Sequence, residues 1–157
     1  MDLNKYLIET FQYNGYANKM VLKKVELLPD QSGCIKFFSH LINCQYKWLD
    51  RINIYPEISK LDWWLPLYAF DELEKEWDKS LSPWIALLQN KTENELMQEV
   101  KWIGAENATY TAQLKDIALQ LNYHSIHHRA QMQTIIRSQG LEPDFVDYIA
   151  TKYRIVE

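Results

Sequence analysis

Asn122-Tyr123-His124-Ser125-Ile126-His127-His128-Arg129-Ala130-Gln131 lies inside the last strongly periodic segment of the chain. An α-helix turns once in about 3.6 residues, so His124 and His128 stack one turn apart on one face. The same segment runs Leu114, Ile117, Leu121, His124, His128, Met132, Ile135, an apolar stripe in steps of three and four. Both histidines thus fall on the face that turns toward a core. Buried neutral imidazoles need partners, and two of them at this spacing can grip one transition-metal ion if a third ligand arrives from another helix. The plainer alternative is a pair of core histidines hydrogen-bonded to their neighbours. The chain has four histidines, and three of them crowd into this short stretch.

Working outward, three further helical segments precede this one. The first, from about Leu3 to Leu28, carries the stripe Leu7, Phe11, Asn14, Asn18, Val21, Val25. Two asparagines stand where apolar residues belong, so they either join a buried polar network or mark a ragged helix edge. Asp30 or Ser32 can cap a second helix, about Cys34 to Arg51, with the stripe Cys34, Phe37, Phe38, Leu41, Gln45, Trp48, Ile52. His40 falls on the flank of that stripe, where periodicity leaves it ambiguous between interior and surface. Residues 53–65, with Pro56 and Trp63-Trp64, read as an aromatic-rich connection. Pro66 can open a third helix with the stripe Phe70, Leu73, Trp77, Leu81, Trp84, Leu88, which Pro83 should kink or restart. Asp71, Glu72, Glu74 and Glu76 read as a solvated acidic face.

A long excursion follows, in which residues 97–102 and 108–111 can pair as a short hairpin across 104–107. This makes a long crossover between the third and fourth helices. The fourth helix, about Gln113 to Gln139, stops at Gly140, with Pro143 beyond it. The tail, through Phe145, Tyr148 and Ile149, should pack back on the bundle. The reading is all-α: a four-helix bundle in a single domain spanning 1–157. A second, weaker apolar strip on the fourth helix, at Leu119, Tyr123, Ile126 and Ala130, leans toward a homodimer.

Composition narrows the function classes. At 157 residues, 47% hydrophobic and 24% charged, the chain can build a proper core. A net charge of -4 with no Lys/Arg-rich face argues against nucleic acid as a partner. No apolar run approaches membrane-spanning length and the N-terminus lacks a signal-like core, so a cytoplasmic protein is expected. Cys34 and Cys44, about 15 Å apart along one helix, cannot bridge, and free thiols fit a reducing compartment.

His124-x-x-x-His128-Arg129-x-Gln131, followed by Arg137-x-x-Gly140-x-x-Pro143, resembles the C-terminal signature of the DinB-like superfamily of small four-helix bundles. Tyr13-Asn14-Gly15-Tyr16-Ala17-Asn18 is similar to that family's first-helix Tyr-Asn-x-Trp-Ala-Asn, and Phe38-Ser39-His40-Leu41 to its second-helix motif. Tyr16 for Trp, and Ala130 for a frequent Gly, are the departures. The resemblance implies an up-down-down-up bundle and a metal site of His40, His124 and His128. His127, about 100° around the helix from His128, should be exposed or sit behind the ligands. Cys44, one turn after His40, reads as a small core residue with a ligand role as the alternative.

Three neutral nitrogens leave an open coordination position, as in catalytic zinc sites. The resemblance further implies a divalent metal, zinc or nickel, and a metal-dependent thiol S-transferase that joins a small electrophile to a low-molecular-weight thiol such as bacillithiol in detoxification or stress. The alternatives are a non-catalytic metal-binding or sensing bundle, and a metal-dependent hydrolase. No Glu neighbours the histidines as in H-E-x-x-H, and Asp116, two turns before His124, reads as an exposed group. The general base and the cofactor-binding residues stay unassigned.

Overall fold

The computed structural model describes residues 2–54 and 60–156. Its elements are α1 (Leu3–Val25), α2 (Ser32–Ile54), α3 (Phe70–Gln89), the short α4 (Glu93–Leu96), β1 (Glu99–Ile103), β2 (Thr109–Gln113) and α5 (Leu114–Ser138). The four long helices form the bundle. α1 and α2 each pack on both α3 and α5, so α1 and α2 face each other across the diagonal. Among the described residues, no helix is long and apolar enough to cross a membrane.

The helix directions follow from which residues meet. Thr10 and Asn18 of α1 bond Asn122 and Ser125 of α5, in ascending order on both, so the two run parallel. Asn4 reaches the Leu88 carbonyl while Lys19 pairs with Asp78, so α1 and α3 are antiparallel. Cys34 lies at the Met132 carbonyl and His40 at His124, so α2 and α5 are antiparallel. Phe38 packs edge-on against Trp77, and the Trp84 indole N–H donates to the Gln45 carbonyl, so α2 and α3 are parallel. The result is up-down-down-up. The connection that joins two parallel helices is therefore the one between α2 and α3, which must return along the bundle; the expected crossover does not lie in the excursion between α3 and α5, because those two helices are antiparallel. Pro56 lies outside the described residues.

The core is built from the stripes. Leu7, Phe11, Asn14, Asn18, Val21 and Val25 of α1 are all buried, as are Leu73, Trp77, Leu81, Trp84 and Leu88 of α3. Each large apolar side chain so removed from water contributes about 1.5–3 kcal/mol before entropy is counted. At Gly15 the α1–α3 approach is tight: a Cβ there would sit 2.9 Å from the Leu81 side chain.

The two asparagines do join a buried network. Arg129 Nη1 donates to Asn14 Oδ1 and Asn18 Oδ1, both at 2.9 Å, and Nη2 donates to the Tyr13 hydroxyl at 3.0 Å. Asn14 Nδ2 donates to Asn122 and Asn18 Nδ2 to Ser125, while Tyr13 passes its own proton to the Val146 carbonyl. This network locks α5 to α1 in one register.

Some boundaries differ from those expected. α2 continues through Ile54, past Arg51, and α1 ends at Val25, before Leu28. Pro66 does not open α3. Its carbonyl accepts from Asn43, and the Tyr68 amide donates to Ser39 Oγ, so residues 66–68 are held against α2. The helix starts at Phe70, where Glu72 reaches back to the Ala69 amide. It then continues through Pro83, which faces solvent, where water can serve the carbonyl that the ring deprives of a donor. The hairpin forms between β1 and β2, from Glu99 opposite Gln113 to Ile103 opposite Thr109. Gly140, at φ +85°, ends α5, with the Leu141 amide bonded back to the Ile136 carbonyl. The tail packs through Val146 and Tyr148, the latter edge-on to Tyr13, whereas Phe145 and Ile149 remain exposed.

Candidate metal centre

His124 and His128 project from the α2-facing side of α5, their ring centroids 4.4 Å apart. His40 comes from the middle of α2, with its ring 5.0 Å from that of His124 and 4.8 Å from that of His128. The three imidazoles predicted as ligands therefore meet. The closest approach is His40 Nε2 to His124 Nε2, 2.9 Å. Cys44, one turn along α2, joins them: its Sγ lies 3.5 Å from His40 Nε2, and one ligand atom from each of His40, Cys44 and His124 falls within 4.8 Å of the others. Such a cluster could hold a metal ion. Cys44 is thus buried, as its apolar reading requires, yet it also stands beside the histidines.

His40 was ambiguous because the centre of α2 is not amphipathic. Every residue from Phe38 to Gln45 is buried. The side of α2 that a stripe would leave wet is covered by the returning chain at 60–68. There Asp62 Oδ1 accepts from the Trp64 and Leu65 amides, which turns the Trp63 carbonyl onto His40 Nδ1 at 2.6 Å. The indole of Trp64 then stacks on the His40 ring at 3.8 Å. His128 is held in a similar way, its Nδ1 2.6 Å from Gln131 Oε1 and its ring stacked on Phe37. Trp63 and Gln131 were not identified from sequence as orienting groups. Gln131, three residues after His128 on the same helix face, carried a signal; a backbone carbonyl from a connection carried none.

These orienting bonds decide tautomers. A carbonyl oxygen only accepts, so His40 and His128 carry their proton on Nδ1, and each neutral ring keeps a lone pair on Nε2. Burial pulls the basicity of both rings down, opposed by the bonds to Trp63 and Gln131. His124 falls furthest, to about 4, through burial first and then the neighbouring charges of His128, His40 and His127. All three are neutral near pH 7, which is the ligating form. The Cys44 thiol is pushed up to about 12 by burial, against the pull of Lys47 and Arg51. It stays protonated unless a cation displaces the proton.

The donor set fits a borderline divalent ion such as zinc or nickel: imidazole nitrogens, a neighbouring sulfur, and a carbonyl behind each of two rings, the arrangement that aims and strengthens metal-binding histidines. Two nitrogens bonded to one tetrahedral zinc stand about 3.3 Å apart, a few tenths of an ångström wider than the His40–His124 contact. Beside the cluster opens a cavity of about 290 Å³, walled by Trp48, Trp63, Leu121, Gln120 and Arg51 together with His40, Cys44 and His124.

The remaining expectations are placed as follows. His127 is exposed, with its ring 5.0 Å from that of His128. Asp116 is exposed and paired with Lys115, away from the site. Of the acidic residues at the start of α3, Asp71, Glu72 and Glu74 face solvent, whereas Glu76 is half-buried and paired with Lys79; Glu74 and Asp78 meet Lys19.

A sequence model of the DinB family matches residues 34–155. No curated protein and no solved structure matches the chain.

Proposed function

The chain belongs to the DinB family, and on that premise we propose that His40, His124 and His128 hold one divalent transition-metal ion, zinc or nickel, in a metal-dependent thiol S-transferase. The observation that carries the reading is the meeting of three neutral imidazoles from two helices at the edge of a cavity large enough for a small molecule. Such an ion, when bound, supplies a Lewis acid that takes up a thiol as its thiolate near pH 7. The chain's own groups do the rest. The Trp63 carbonyl and Gln131 hold two rings in ligating tautomers, and Trp64 and Phe37 cover the ring faces against water. The overall reaction joins a thiol sulfur to an electrophilic carbon, with the leaving group departing with its electron pair and the thiol proton passing to water. Bacillithiol is the thiol we favour.

Two observations separate this from its alternatives. Among the described residues no Asp or Glu lines the cavity, so none of them offers a hydrolase a carboxylate base for its water. A sensor that only binds metal can have a closed site, whereas this one opens on a cavity. The cluster also offers His40, Cys44 and His124 as a different trio. Metal content of the purified protein decides between them: His124→Ala removes the ion under either trio, His128→Ala only under the first, and Cys44→Ala only under the second. Incubation with bacillithiol and a chromogenic electrophile tests the reaction, and metal-dependent conjugation is the expected result. Hydrolysis without thiol would favour a hydrolase, and no turnover a binding protein. We further propose a cytoplasmic homodimer. Tyr123, 59% exposed, and Ile126, 44% exposed, supply the apolar face, and sedimentation analysis tests the dimer.

A further inference from the structure

One cation in the cavity wall is left unexplained by the metal reading. Arg51 lies on α2 two turns beyond Cys44 and three beyond His40, so the three share one face. Its guanidinium carbon is 4.8 Å from the ring centroids of both Trp48 and Trp63, and 5.8 Å from that of Trp102. The aromatic rings hold the group in place and shield part of it from water, but they accept none of its in-plane N–H bonds. Its Nε is buried without an acceptor. Among the described residues no carboxylate is within salt-bridge reach of Arg51, and none of its five N–H groups is hydrogen-bonded. Asp50, the next residue back, acts on it only as a nearby charge. Lys47, a turn earlier, is different: its ammonium is given to the Leu61 carbonyl. A buried donor without an acceptor is a standing cost that folded proteins rarely tolerate without a use.

We propose that Arg51 is a ligand-binding residue that receives the carboxylate of a small molecule lying in this cavity, with the rest of that molecule extending toward His40 and His124. The proposal rests on the metal-centre reading only for what the far end of the ligand meets. The guanidinium edge is a planar fork that a carboxylate matches with two parallel bonds. A phosphate dianion would bring two charges against one open cation and apolar walls, Trp48, Trp63 and Leu121, which favours the carboxylate. At about 290 Å³ the cavity takes a small molecule and not a folded partner.

Glutathione and its dimethyl ester make a matched pair of probes, since the ester keeps the thiol and the ammonium but neither carboxylate. Titration calorimetry on the full chain, metal-free and zinc-loaded, should show the acid binding at least about tenfold tighter than the ester. Arg51→Met should erase the difference, and Arg51→Lys, which keeps the charge without the fork, should retain only part of it. Circular dichroism checks that both variants fold; Arg51 is only partly buried, and either variant alone decides the point. Equal binding of acid and ester, no measurable binding of the acid, or undiminished discrimination in both variants would overturn the proposal. Zinc content measured on the same samples keeps the two readings apart. A wild type that takes up no zinc sinks the metal centre, while discrimination in the metal-free protein still decides the role of Arg51.

Discussion

Arg129→Met tests whether the polar network between α1 and α5 sets the bundle's register. Methionine preserves the stem's length and apolar bulk but removes every donor. Arg129 is 3% exposed, and its three bonds at 2.9, 2.9 and 3.0 Å go to Asn14, Asn18 and Tyr13. Once they are gone, Asn14 Oδ1 and Asn18 Oδ1 are left buried without the donor they had; Tyr13 still donates to the Val146 carbonyl. Each orphaned acceptor costs about 1–3 kcal/mol, so the pair costs about 2–6 kcal/mol. Against this, the substitution removes the penalty of burying a guanidinium, itself several kcal/mol. The loss should exceed the relief because one group leaves and two are stranded, and a net destabilisation of about 1–3 kcal/mol remains. For a chain of this size that lowers Tm by about 2–12 °C. Urea denaturation followed by circular dichroism measures it. A double-mutant cycle with Asn18→Ala should give a coupling of about 1 kcal/mol or more, because both partners share one bond. A variant within about 0.5 kcal/mol of wild type, with an additive cycle, would refute the reasoning.

Further expectations concern the site. Gln131→Leu frees the His128 ring to rotate and to change tautomer, and should weaken metal affinity by about 10–100-fold without altering the helical spectrum; zinc titration against a chromogenic chelator measures it, and unchanged affinity would remove Gln131 from the site. His127→Ala should leave metal content alone, since that ring is exposed. In the metal-free protein, His124 is neutral when folded but takes a proton near pH 6.5 when unfolded. Its folded value is depressed, so the stability it contributes is fully present above about pH 6.5 and lost as pH falls toward about 4. The urea midpoint should drop across that window, and less steeply in His124→Ala. A midpoint that rises on acidification would contradict the burial of these rings.

The stripes of α1 and α3 were legible because each of those helices meets its neighbours along one seam, the condition under which a period of 3.6 reports burial. Asn14 and Asn18 could be recognised as out of place but not assigned, since the partner that satisfies them lies more than a hundred residues away. His40 was illegible for the opposite reason. α2 is wrapped on its far side by the returning chain at 60–68, so burial there has no period to read, and only the resemblance to a family motif drew His40 into the site. Trp63 contributes through its carbonyl, an atom every residue has, and no residue type could announce it. Pro66 misled because a proline suits the first turn of a helix and a crossover equally well; the bonds from Asn43 and to Ser39 decided for the crossover.

α5 is asked to do two things with adjacent faces. Asn122, Ser125 and Arg129 point to α1, while His124 and His128 point to α2. On a helix these two sets lie about 100° apart, so any rotation that improved one would spoil the other. The guanidinium network therefore fixes the angle at which the imidazoles meet His40, although Arg129 touches none of the three ligands proposed. If that coupling holds, Arg129→Met should weaken zinc binding even at temperatures where the variant is fully folded, and Asn18→Ala should do so to a smaller degree. Zinc affinity unchanged in a folded Arg129→Met protein would mean that the contacts with α2 alone set the angle, with the network serving stability and nothing more.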